Sequence, residues 1–277
     1  MLRLLLFLFV APFVVSCDSG DSEDNDPIDD TIIPGWTLVW NDEFGGSAID
    51  ATKWSHQVTG NPANNELQYY TDRVLNSRTK DGSLVIEAHA ESYTGPDGTR
   101  EYTSARLHSQ NKGDWKYGRF EIRAKLPKGQ GMWPAIWMMP TDSEYGGWAA
   151  SGEIDIMELL GHEPKRVYGT LHYGASYPNN TQSGTSTTLP SGSFADSFHV
   201  FSIIWDEGRI QWLVDGTPYA TQTSWSTNGH DFPAPFDKKF YMILNVAVGG
   251  DWPGSPDETT LFPSRMEVDY VRVYEKE

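Results

Sequence analysis

Residues 117–126 alternate between apolar and charged positions. Phe120, Ile122 and Ala124 fall on one face, and Arg119, Glu121, Arg123 and Lys125 on the other. A period of two belongs to a half-buried β-strand, whose successive side chains point to opposite faces. Further short runs, apolar or alternating, occur at 84–90, 167–173, 199–205, 240–247 and 266–274, separated by Gly, Pro, Asn and Asp. Residues 209–214 stand between Asp206-Glu207-Gly208 and Asp215-Gly216, a hairpin signature. Long helical periodicity is absent, and no repeat or second linker interrupts the chain after Pro34. Many short strands within about 240 residues predict an all-β fold, a two-sheet sandwich or jelly roll.

One segment carries a second, chemical pattern. Glu153-Ile154-Asp155-Ile156-Met157-Glu158 places three carboxylates on a short apolar run bracketed by Gly152 and Gly161. Glu153 and Asp155 share a strand face. Glu158 lies an odd step from Glu153, so a regular strand sends it to the opposite face. One extra residue, a β-bulge near Met157, brings it back beside the other two, and bulges are enriched beside active sites. A helix gathers the three acids less well. With the bulge, Glu153 and Glu158 stand about four strand positions apart, roughly 13 Å between Cα atoms. Side chains leaning together would shorten the carboxyl separation to about half of that, compatible with the roughly 5–5.5 Å of a retaining glycosidase pair. Crowding of like charges raises the pKa of at least one member, which keeps a carboxyl protonated near neutral pH. The alternative is a solvated acidic strand face. Three acids without a base make that face electrostatically unfavourable unless something uses them.

Composition adds an address and some exclusions. Arg3 and the apolar run 4–15 have the form of an export signal, too short to span a bilayer stably. The run ends in Val14-Val15-Ser16-Cys17, which resembles a bacterial lipobox with Cys17 as the acylated residue; an ordinary signal peptide is the alternative. Cys17 is the only cysteine, so no disulfide supports the folded part. Residues 18–30 read DSGDSEDNDPIDD, with seven acids and no base, and cannot build a core. The expected organisation is a lipoprotein signal peptide at 1–16, an acidic linker at 17–33 and one catalytic domain at 34–277. Such acidic runs resemble the surface-export signals of some Gram-negative bacteria, so the expected location is the cell envelope, on the outer-membrane surface. The net charge is −17; without the seven acids and Arg3, 31 acids and 20 bases remain, a balance of −11. That excess argues against nucleic-acid partners and disfavours sulfated or carboxylated polymers, which it would repel. Eleven Trp suggest a broad core or a stacking surface for flat ligands. No His/Cys cluster suits zinc, no Gly-rich loop cradles phosphate, and no Ser nucleophile elbow occurs.

Several ordered blocks resemble glycoside hydrolase family 16, in its bacterial laminarinase-like (endo-β-1,3-glucanase) branch. They are Trp40-Asn41-Asp42-Glu43-Phe44, NNELQYY at 64–70, Thr103-Ser104-Ala105-Arg106, Tyr117-Gly118-Arg119-Phe120-Glu121, Trp133-Pro134-Ala135-Ile136-Trp137, GEIDIMELLG at 152–161, LNVAVGG at 244–250 and VDYVRVY at 268–274. The resemblance implies a concanavalin A-like jelly roll of two bent antiparallel sheets with a concave substrate cleft. It implies retaining hydrolysis of β-1,3-glucan, with Glu153 as nucleophile, Glu158 as acid/base, Asp155 tuning both, and no catalytic cofactor. Asn65 and Arg106 would bind sugar hydroxyls, although Arg106 could instead pair with Glu66. Trp133 and Trp137, four residues apart, share a face and would stack on sugar, with core burial as the alternative. Trp252 sits in a loop, where large aromatics more often serve function. His172 would be either a sugar contact or a core histidine. A structural calcium on the convex face would take Glu43, the Gly82 carbonyl and Asp269, since calcium takes oxygen ligands. The loops 141–148 and 173–190 would set subsite shape. The expected partners are a β-1,3-glucan and, through Cys17, a membrane; nothing demands more than a monomer. Mixed-linkage glucan, agar or carrageenan are alternative substrates, and a non-catalytic glucan-binding lipoprotein is the alternative of another class.

Overall fold

The alternating segments pair into two stacked sheets. A computed structural model describes residues 31–277; Cys17, the expected signal peptide and the expected linker up to residue 30 lie outside the described residues. In chain order the strands begin with β1 (Trp36–Asp42), β2 (Ser55–His56), β3 (Gln68–Tyr70), β4 (Ser77–Lys80), β5 (Ser83–Gly95) and β6 (Gly98–Ser104). Then come β7 (Arg106–His108), β8 (Asp114–Trp115), β9 (Gly118–Lys125), β10 (Met132–Pro140), β11 (Glu153–Glu158) and β12 (Arg166–Tyr173). The chain closes with β13 (Thr181–Thr188), β14 (His199–Asp206), β15 (Arg209–Val214), β16 (Thr217–Gln222), β17 (Phe240–Val248) and β18 (Ser264–Lys276). No helix occurs among the described residues.

One sheet runs β16-β15-β14-β9-β18-β5-β6-β3, with β1 beside β18 and β4 beside β5. The other runs β13-β12-β11-β10-β17-β7-β2, with β8 beside β17. The pairings are antiparallel apart from β3 with β6. Sequence neighbours are often not sheet neighbours, the mark of a jelly roll rather than a meander. The alternation of β9 explains the layering. Phe120, Ile122 and Ala124 are fully buried, and they meet Ile154 and Ile156 of β11, Leu171 of β12 and Leu244 and Val246 of β17 in one hydrophobic cluster. On the outer face, Arg119 pairs with Glu121 and Lys125 with Glu267.

The strands read from alternation are present, most of them extended by a residue or more at the ends; 209–214 is β15, with β14 and β16 folded against it. One expectation is corrected. The segment 173–190, read as a loop, contains β13, which pairs with β12 from Arg166↔Thr188 to Tyr173↔Thr181. Its sequence TQSGTSTT has no apolar residue to betray it. It is an edge strand with alternating exposure, and its β-branched threonines suit the pleat without any core face.

The segment 153–158 holds the predicted bulge. Between Asp155↔Thr170 and Glu158↔Tyr168 the register slips, three steps on β11 matching two on β12. On the other side, Ile136↔Met157 and Trp137↔Asp155 leave Ile156 as the extra residue against β10. Ile156 and Met157 are both buried in the core. A bulge breaks the ladder, yet the freed Asp155 carbonyl is not orphaned: Trp212 Nε1 of β15, in the opposite sheet, donates to it at 2.8 Å. The indole gets this close because position 169 on β12 is glycine. A Cβ there would lie 2.5 Å from the Trp212 ring.

Candidate active site

The face of β10 opposite the core carries Trp133, Ala135, Trp137 and Met139, every second residue, and all four line a cavity of about 280 Å³. Arg106 of β7, Asn245 of β17 and the acids of β11 complete its wall. A second cavity of about 590 Å³ continues past the acids toward β12 and β13, lined by Tyr168, Thr170, His172, Gln182, Thr185 and Trp252. Asn64, Trp133, Trp148, Glu153 and Glu158 line both cavities. The acid pair therefore stands at the junction of one continuous cleft.

Glu153, Asp155 and Glu158 all face this cleft, as the parity argument required. Each glutamate receives an indole N–H: Trp148 Nε1 donates to Glu153 Oε2 at 2.7 Å, and Trp133 Nε1 to Glu158 Oε1 at 3.0 Å. His172 Nε2 lies 3.2 Å from Asp155 Oδ2 and 3.6 Å from Glu153 Oε1. These are charge contacts; Asp155 Oδ2, though buried, has no aligned hydrogen-bond donor. Burial first, and then the neighbouring Asp155 charge, pushes Glu153 up to about 8. Asp155 is also raised by burial, against a hydrogen bond with Glu153 that lowers it. Glu158 is raised well above the carboxylate range by burial, with Asp155 and Glu153 adding repulsion. The cluster thus holds protons at a pH where free carboxylates do not, and these are the conditions for acid/base work.

The remaining expectations resolve individually. Arg106 does pair with Glu66, at 3.6 Å, and also reaches the cleft. Its guanidinium lies 4.4 Å from the Tyr70 ring centroid and 5.4 Å from that of Trp137. Trp137 Nε1 donates to Asn245 Oδ1 at 2.7 Å, and Asn245 Nδ2 donates to the Tyr70 hydroxyl, which donates to Glu66. Burial, with the Glu66 charge behind it, keeps that phenol firmly protonated. Trp133 and Trp137 are half-buried on the cleft rather than core residues. His172 is likewise half-buried and belongs to the acid cluster. Trp252 is exposed and meets Trp133 and Tyr168 edge-on. Asn65 is exposed, and its amide is tied to Asp251 at 2.8 Å; its neighbour Asn64 lines the cleft.

Sequence reasoning gave no role to Trp148, Asn64, Tyr70, Asn245 or Trp212. Asn64, Tyr70 and Asn245 stood inside recognised blocks. Trp148 closes a segment read only as shape-determining, and nothing local announces its bond to Glu153.

Glu153, Asp155 and His172 place potential ligand atoms within 4.8 Å of one another, a possible cation cradle made of the acid cluster itself. At the suggested calcium position, both oxygens of Glu43 bond Arg272 at 2.9 Å. Asp269 is paired with Arg123. Gly82 stands in the turn between β4 and β5 at φ +77°. The two carboxylate donors are already taken by guanidinium groups, an arrangement that does not fit an oxygen cage for calcium.

A jelly roll whose concave sheet lines an open cleft with buried carboxyls and indoles is the architecture of a carbohydrate-cleaving enzyme. Residues 53–272 match the family described as Glycosyl hydrolases family 16, and the chain belongs to that family of glycoside hydrolases. It is 43% identical to a β-glucanase of Rhodothermus marinus, over 96% of this chain and 93% of that one. It is 44% identical to glucan endo-1,3-β-glucosidase A1 of Niallia circulans over 90% of this chain, which spans only 39% of that longer protein. The solved laminarinase of Rhodothermus marinus superposes with a TM-score of 0.79 at 45% identity, covering 87% of this chain and 98% of that structure.

Proposed function

We propose that this enzyme is an endo-acting β-1,3-glucanase, a laminarinase that cleaves with retention. The observation that carries the reading is the bulge of β11, which gathers Glu153 and Glu158 onto one face at the junction of two cavities. A cleft that continues on both sides of the acids admits a chain interior, as endo cleavage needs. Glu153, ionised, attacks the anomeric carbon. Glu158 gives its proton to the leaving oxygen as the glycosidic bond breaks. Glu158 then removes a proton from water, which displaces Glu153. Asp155 shares a hydrogen bond with Glu153, so that a proton is kept within the cluster. Trp133 and Trp137 offer ring faces to the apolar faces of glucose, and Arg106 and Asn245 offer donors to hydroxyls.

The test is a product assay on laminarin, mixed-linkage glucan, agarose and carrageenan, with the anomer read by NMR before mutarotation. Laminarin cleaved to short oligosaccharides with β products is expected. Inverted products would overturn the mechanism, and exclusive cleavage of a galactan would overturn the substrate.

The reading extends to location. Cys17 is acylated, and the acidic segment that follows carries the catalytic domain to the outer surface of the cell envelope as a lipid-anchored monomer. Support comes from the lipobox and the acidic run. Fatty-acid labelling in cells, lost in Cys17→Ser, tests it; equal labelling of the variant would refute the anchor.

A further inference from the structure

Two indoles reach the acid pair, and they are not equivalent. Trp133 sits within β10. Trp148 comes from the segment between β10 and β11 and is 38% exposed. Its place is fixed without help from Glu153. Its carbonyl accepts from the Tyr177 backbone N–H at 2.6 Å, and its ring lies 5.6 Å from that of His172 and 6.2 Å from that of Tyr177. From there Nε1 donates to Glu153 Oε2 at 2.7 Å, while His172 Nε2 approaches Oε1 at 3.6 Å and Asp155 shares a hydrogen bond with the carboxyl.

A carboxylate oxygen that accepts a short hydrogen bond has part of its electron density committed and attacks less well than its partner. We infer that Trp148 is a positioning residue of the nucleophile: its indole N–H holds Glu153 Oε2 and leaves Oε1 to attack. This rests on the nucleophile role proposed for Glu153. In the step, the bond from Oε1 to the anomeric carbon forms and the glycosidic C–O bond breaks. The electron pair passes to the leaving oxygen, which takes the Glu158 proton. The indole transfers nothing. It orients the carboxylate and, as a neutral donor, favours the ionised form over the acid without adding charge.

The remaining surroundings of Glu153 pull in both directions. Asp155 and Glu158 on the same strand oppose its ionisation; His172 of β12 and Arg106 of β7 favour it, and the Tyr241 phenol of β17 feels its charge. All of them remain when only the indole N–H is removed, so a change in pH behaviour reports on that one donor.

The experiment compares kcat/KM from pH 4 to 10.5 on laminari-oligosaccharides for the wild type, Trp148→Phe and a protein whose Trp148 indole is replaced by its benzothiophene isostere. The isostere keeps the ring shape and lacks the donor, so it serves even if the phenylalanine variant folds poorly. The expected result is an acid limb moved upward by about one pH unit. On that limb kcat/KM should fall roughly tenfold further than at the plateau, the scale of a hydrogen bond to a charged group. Labelling of Glu153 by a fluorosugar inactivator should slow in the same pH-dependent way. A profile that superimposes on wild type, or one that falls equally at every pH, would overturn the inference. Glu153→Gln runs alongside: if it keeps turnover, the nucleophile assignment itself has failed, which is a different result from an unshifted Trp148 profile.

Discussion

At Glu153 the charged state is the expensive one. Its side chain is only 14% exposed and shares a small space with Asp155 and Glu158. The folded protein therefore binds protons there more tightly than the unfolded chain does. The sign follows: the stability associated with these protons is complete below the unfolded pKa, 4.5, and is lost as pH rises through the folded value of about 8. Glu153→Gln removes one charge from the cluster. Its melting temperature relative to wild type should climb between pH 4.5 and 8, by an amount equivalent to the order of 2 kcal/mol. Turnover should drop by several orders of magnitude. A stability difference flat with pH would show that the cluster is not strained by charge. At Trp137 the prediction concerns binding: Trp137→Ala should weaken long oligosaccharides by about 1–3 kcal/mol, borrowing the scale of base stacking, with its melting point little changed. Unfolding would instead identify a core residue. Glu153, Asp155 and Glu158 were legible because strand parity is a local rule that six residues suffice to apply. Asn245 was not, because it lies 108 residues from Trp137; Trp148 was not, although only five residues from Glu153, because its irregular segment is set against His172 and Tyr177 of later chain. Asn65 shows the converse: a residue type suited to sugar hydroxyls, held here by Asp251.

Among the elements, β11 is distinguished by how its irregularity is held. A bulge leaves backbone groups unpaired, and a buried unpaired carbonyl is costly. The Trp212 indole crosses from the other sheet to satisfy Asp155, and Gly169 gives it room. Trp212→Phe keeps most of the packing and removes the donor. It should cost about 1–3 kcal/mol by chemical denaturation and lower kcat more than it raises KM, because it loosens the strand under the acids. A stable variant with unchanged kcat would show that the bulge holds itself. The bulge could be read in the sequence from parity; its brace could not, since Trp212 lies 57 residues away on an ordinary-looking strand. β13 was invisible for a different reason. Hydrophobic alternation is the signal of a strand with one face in a core, and an edge strand of threonines and serines beside a wet cleft has no such face.

For the molecule as a whole, the two-sheet architecture followed from punctuation and alternation, while the order of strands did not. Pairings such as β18 with β9 and β10 with β17 join segments far apart in sequence, and no local pattern encodes them. The excess of acids predicts a preference that can be measured. Cleavage of a neutral β-glucan should change little between low and moderate salt, whereas weak binding of a sulfated polymer should improve as screening relieves repulsion. Tight binding of carrageenan at low salt would contradict that balance.

The pairing of one indole with each glutamate has a practical corollary. Indoles emit light, and their emission responds to the protonation and hydration of whatever their N–H touches. Trp133 and Trp148 are therefore built-in optical probes of the reaction centre. Subtracting the spectrum of Trp148→Phe from that of the parent would isolate one signal from the eleven, and would follow occupancy of the proposed nucleophile in real time without any label.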